Sequence, residues 1–334
     1  MRNRPDETAA TLTPPTTFLG LSPVVAGTAC CAVSAVGYTA ANACMRQLNG
    51  LGVDPMWAVC NKELVTVAVV GPWLVWQSAR RRLRPTPFTS LAVLAAVGLA
   101  VQMGANLGLQ WAFGVVGLAV AIPAVFSAML TASGLLGWLI LGERVSGRSI
   151  RAIGLLLVSL VFLGLAARAA GKSVAEGGGP LWFTLGVAAG CMAGTIFAVL
   201  TITIRSNAAR ATPMSVILFT TTLMGVISLG PLSLIRLGVE GLAATTAVEA
   251  AWMLAAGTCN LIAFLAITKG LHLTTVLHAN VLNASQVAMA ALAGLLFFDE
   301  PLTFWLVLGV LLTITGVAAI DRPEETDQYA DVHA

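Results

Sequence analysis

The chain of 334 residues is 57% hydrophobic and only 10% charged, with a formal net charge of +3 and a mean hydropathy of +0.88. A water-soluble domain carries roughly 25% charged residues, so this sequence lacks the polar groups to cover a water-facing surface and reads as all-α integral membrane protein. The small positive excess is spread over loops, which argues against a nucleic-acid partner.

Residues 1–22 form a polar tail rich in Thr and Pro rather than a cleavable signal, so the first apolar run is expected to stay in the bilayer. A bilayer core needs about 20 apolar residues per helix. That length predicts ten spans: 23–45, 55–77, 89–110, 116–140, 149–168, 180–203, 213–236, 249–268, 274–298 and 302–320. Residues 169–179 are then an external linker and 321–334 a C-terminal tail.

Span one carries Ser34, Tyr38 and Asn42 at helical spacing, with Tyr38 offering an aromatic wall and a hydroxyl. Span two carries Lys62 and Glu63, an adjacent charged pair deep in an apolar run. A charge there costs about 2.5–3.5 kcal/mol on insertion scales, so the pair must face an interior or a wet cavity. Lys62 is a candidate for binding a substrate carboxylate and Glu63 for proton coupling; the other reading is an ion pair that locks span two to a neighbour. Span three aligns Gln102, Asn106 and Gln110 on one face, which fits either recognition of a polar ligand or hydrogen bonding between helices. Trp111, Trp73 and Trp76 lie where interfacial anchors belong.

Span nine carries Asn280, Asn283 and Gln286 on one face, plus His278 near its start. The six cysteines all fall within apolar runs, without a CxxC pair or histidine cluster, so neither disulfides nor a metal is expected. Gly171-Lys172-Ser173 lacks the upstream glycine of a phosphate-binding loop. With no HExxH, nucleophile elbow or ATP-binding domain in the sequence, the expectation is a protein that is not an enzyme and holds no cofactor.

The sequence also repeats itself. Gly137, Glu143, Val145-Ser146 and Ala152 return as Gly294, Glu300, Leu302-Thr303 and Gly309, with the two glutamates 157 positions apart. Gly71-Pro72 returns as Gly230-Pro231, and Arg46 closes span one as Arg205 closes span six. Five spans per half is an odd number, so the second half must enter the membrane from the opposite face. The basic residues agree: Arg80, Arg81, Arg82, Arg84, Arg144, Arg148 and Arg151 cluster on one side, placing both termini in the cytoplasm. Glu143 and Glu300 each sit at a helix end, where a carboxylate serves structure or gating by capping the next helix or, for Glu143, pairing with Arg144.

The paired ends Gly142-Glu143-Arg144 and Asp299-Glu300-Pro301, the spacings Ala152/Ser159 and Gly309/Gly316, Asn42 with Arg46, and Pro55 with Lys62 resemble the drug/metabolite transporter superfamily, specifically its EamA-type members. The resemblance covers about residues 23–320. It implies two inverted five-helix EamA-like repeats, 23–168 and 180–320, moving small metabolites and often exporting them across the cytoplasmic membrane. The expected partners are a small-molecule substrate, such as an amino acid, and the lipid bilayer; a homodimer is left open. The alternative is a component of a lipid or lipid-linked-sugar flippase, or a non-catalytic membrane subunit.

Overall fold

The computed structural model describes residues 23–80, 86–141, 147–174, 180–209, 212–273 and 276–319. They form α1 (Pro23–Gly50), α2 (Pro55–Ala79), α3 (Phe88–Ala100), a π-helical turn (Val101–Asn106), α4 (Leu107–Val116), α5 (Leu118–Leu141) and α6 (Gly147–Val174). The chain continues through α7 (Pro180–Ala209), α8 (Met214–Ala243), α9 (Ala247–Leu273), α10 (Val276–Phe297) and α11 (Phe304–Ala319). Among the described residues, six stretches are long and apolar enough to cross a membrane. The described exterior agrees: Phe88, Ile235 and Leu181 stand 83%, 81% and 73% exposed, a surface that only lipid or a partner can cover.

Local chemistry sets the helix starts. Asp54 caps α2 by accepting from the Met56 and Trp57 amides at 2.9 and 3.2 Å, with Pro55 at the first position. Thr246 and Glu249 form a reciprocal capping box at α9. Gly117 (φ 79°) breaks α4 from α5, and Gly238 (φ 69°) kinks α8, both in backbone that L side chains avoid. Helix α6 runs on to Val174, so residues 169–174 of the expected linker are helical.

Short connections turn the chain back on itself, whereas α3, the π-turn and α4 run on as one stretch, Phe88–Val116. Cross-half packing then follows one scheme. Helix α1 lies against α9 and α10, while α7 lies against α3, the π-turn, α4 and α5; α2 meets α8, and α6 meets α11. The small-residue spacing is what lets α6 and α11 approach. A Cβ added at Gly309 would lie 2.8 Å from Leu163 Cδ2, and one at Gly316 would lie 2.9 Å from Leu156 Cδ2. Ser127, Ser159 and Thr313 close that junction with a triangle of hydroxyl contacts at 2.9, 3.1 and 3.2 Å.

Candidate functional site

Where α2 crosses α8, the structure gathers the charged pair and two of the three span-three amides. Lys62 and Glu63 are 8% and 3% exposed, with Nζ and Oε1 3.1 Å apart. Lys62 Nζ also donates to Asn106 Oδ1 at 3.2 Å. Asn106 Nδ2 donates to Gln102 Oε1 at 2.6 Å and reaches Glu63 Oε1 at 3.5 Å. Gln102 Nε2 donates in turn to the Thr221 carbonyl of α8 at 3.1 Å. Two neighbouring charges on one helix, pointing about 100° apart, are thus joined both to each other and through one amide.

The second half contributes backbone and absence of bulk. Thr221 and Thr222 stand where the repeat register puts Lys62 and Glu63, and their hydroxyls donate back to α8 carbonyls. Gly225, one turn on, leaves the space: a Cβ there would lie 2.9 Å from both Gln102 Cδ and Glu63 Cγ. Neither the Thr221 carbonyl nor Gly225 stood out in the sequence, because a carbonyl has no residue code and glycines are common here.

The π-turn explains why the three amides part company. A π-turn inserts one residue into a helix and shifts the face that follows. Gln102 and Asn106 stay at the charged pair, whereas Gln110 donates to the Met45 carbonyl of α1 at 2.9 Å. Asn49 answers by donating to the Gln110 carbonyl at 2.7 Å. The structure therefore places Gln110 in an α1–α4 seam rather than beside Lys62.

The remaining candidates sit elsewhere on the helices. Tyr38 is half-buried on α1 and close enough to Glu63 to feel its charge; Asn42, one turn further, is also half-buried. On α10, Gln286 is buried and donates to Asn283 Oδ1 at 3.3 Å. The side chains of Asn280 and His278, and the whole of Glu143, lie outside the described residues. Among the described residues no group of three acidic, cysteine or histidine side chains could hold a metal.

Glu300 makes a separate junction beside the start of α5 and Arg46 of α1. Its carboxylate, 4% exposed, accepts from the Leu118 and Ala119 amides at 2.7 and 2.8 Å. Oε1 also meets Arg46 Nε at 3.3 Å, and the Arg46 guanidinium lies over the Phe298 ring. The glutamate caps a helix, as a carboxylate at a helix end should. That helix is α5 of the opposite half, not the adjoining α11, whose own amide at Leu306 is taken by Thr303.

An apolar exterior over helices of membrane-crossing length defines a multi-pass membrane protein, and a buried charged pair inside such a protein is a candidate functional site. Residues 184–320 match the EamA-like transporter family, which lies within the drug/metabolite transporter superfamily. A crystal structure described only as that of a protein is similar in fold, at TM-score 0.59 and 19% identity, over 90% of this chain and 98% of that one. No curated protein matches the chain.

Proposed function

We propose that the protein is a secondary transporter that exports a small zwitterionic metabolite, an amino acid or a close analogue, by alternating access. The observation that carries this reading is the buried Lys62–Glu63 pair bridged by Asn106 at the α2–α8 crossing. An ammonium and a carboxylate 3.1 Å apart present to each other the two groups that a zwitterion would present to both. A ligand carboxylate takes Lys62, a ligand ammonium takes Glu63, and Asn106 serves either. Tyr38 and Asn42 on α1, with Asn280, Asn283 and Gln286 on α10, would complete the lining near the midplane.

The scaffold reading is ten spans in two inverted five-helix repeats, 23–168 and 180–320, in the cytoplasmic membrane with both termini inside. It rests on the duplicated sequence, on the basic residues, and on the exchanged packing, in which α1 against α9 mirrors α7 against α3 and α4. Glu63 is the proton-coupling group in this scheme; Lys62, Asn106, Tyr38 and Cys60 are the polar or titratable groups that bear on it. The protein would act without a cofactor and without catalysing a covalent reaction.

The test is flux of a metabolite panel in proteoliposomes of the full chain. Substrate-dependent flux is expected, and Glu63→Gln should abolish its response to a pH gradient. An unchanged response would remove Glu63 from the coupling. The lipid-flippase alternative would draw on the groove lined by Met103, Leu107, Trp111, Trp182 and Met192, but among the described residues its lining has no basic group to hold a headgroup.

A further inference from the structure

Three hydrogen bonds in the α2–α8 crossing all run the same way. Lys62 donates to Asn106, Asn106 donates to Gln102, and Gln102 donates to the Thr221 carbonyl. A primary amide has one donating end and one accepting end, so a chain of two amides has a direction, and the ammonium sets it. Bonds in such a chain polarise one another, and the first is strengthened by the charge on its donor. The chain begins on the cation of the first half and ends on the main chain of the second.

Resting on the transport reading of this site, we propose that Gln102 is a positioning residue that reports the state of Lys62 to α8. When Lys62 turns to a ligand carboxylate, Asn106 Oδ1 loses its donor at a half-buried position, which is costly. Asn106 regains a donor by rotating its amide toward Gln102, and Gln102 must then rotate as well. A rotated Gln102 turns Oε1 toward the Thr221 carbonyl, so attraction becomes repulsion at the surface of α8. Gly225 keeps the response tight: the space over it is filled by Gln102 and Glu63, with Gln102 Oε1 only 3.1 Å from where a Cβ would stand. Gln102 is only 2% exposed and its amide faces the Thr221 carbonyl, so the strain passes to α8. The π-turn belongs to the device, since it holds Gln102 and Asn106 2.6 Å apart while Gln110 stays in the α1 seam.

The experiment is a mutant cycle read by amide hydrogen exchange in the purified full chain, with no ligand needed. Lys62→Met and Gln102→Leu should each speed exchange of the α8 segment 217–225 about fivefold or more, the size of a typical coupling. The double variant should exchange no faster than either single one. Additive rates, or an α8 segment indifferent to Lys62→Met, would overturn the proposal. If Gln102→Leu does not fold, Asn106→Leu cuts the same chain one bond earlier and must give the same non-additivity. A second arm uses a mixture of radiolabelled L-amino acids in counterflow. Gln102→Leu should lower the maximal rate with KM held within about twofold, whereas a mere packing residue would leave both in place. If no L-amino acid moves while the exchange cycle is non-additive, the cargo reading fails and the coupling stands.

Discussion

The Glu300 carboxylate accepts the Leu118 amide at 2.7 Å across 182 positions of sequence. It caps a helix that begins in the other half of the chain, and the Arg46 guanidinium braces it from a third element. Gly117 and Gly294 make way for it; a side chain on either would strike the carboxylate.

Glu300→Gln should therefore cost about 1–3 kcal/mol, because the Leu118 and Ala119 amides are accepted by different carboxylate oxygens and one of these becomes an NH2 donor facing a buried N–H. Arg46→Gln should cost less, about 1 kcal/mol or under, since the Arg46 side chain keeps 13% exposure and leaves the cap in place. Reversible unfolding in detergent measures both. Equal losses would mean that the ion pair, not the cap, holds this end of the bundle.

At the candidate site, removing one charge leaves the other buried alone. Lys62→Met or Glu63→Gln should each destabilise by about 3–5 kcal/mol. The double variant should recover at least half of that loss, because no lone charge remains. Unfolding of all three variants under one condition decides it; a double variant as damaged as the sum of the singles would contradict the pairing.

Gln110 separates packing from recognition. Gln110→Met removes one hydrogen bond between membrane helices, a contact that averages about 0.6 kcal/mol. A small loss of stability with unchanged flux is expected. A large loss of flux would return Gln110 to the pathway.

Much of this was readable from residues, and the exceptions share a cause. The apolar helices, the buried status of Lys62 and Glu63, and a helix-end role for glutamate follow from composition, desolvation cost and macrodipole. The partner of Glu300 did not follow, because capping the adjoining helix was the nearest option in sequence and α5 enters only through the fold. Gln110 misled for a different reason. Spacing of four assumes an unbroken α-helix, and the π-turn at Val101–Asn106 has no sequence signature that spacing can detect. Glu143 and Asn280 remain expectations of the sequence, since the described residues do not include Glu143 or the Asn280 side chain.

Deleting Met103, which is exposed within the π-turn, removes the inserted residue and should restore a regular helix. Flux should fall about fivefold or more, while the protein still elutes as a folded species. Wild-type flux in the deletion would show that the π-turn is dispensable.

The inverted scaffold has its own check. Reporter fusions after residues 84 and 175 should report opposite sides of the membrane. The same side for both would overturn the proposed topology.

The carboxylate that finishes α5 also sets a clock on biogenesis. Leu118 leaves the ribosome 182 residues before Glu300, a wait on the order of ten seconds or more at ordinary rates of synthesis. Throughout it the first turn of α5 has two amides without the acceptor that they have in the finished protein. The first half is thus inserted in an unfinished form, and a nascent chain stalled before residue 300 should be recognised by quality-control proteases in a way that the completed chain is not.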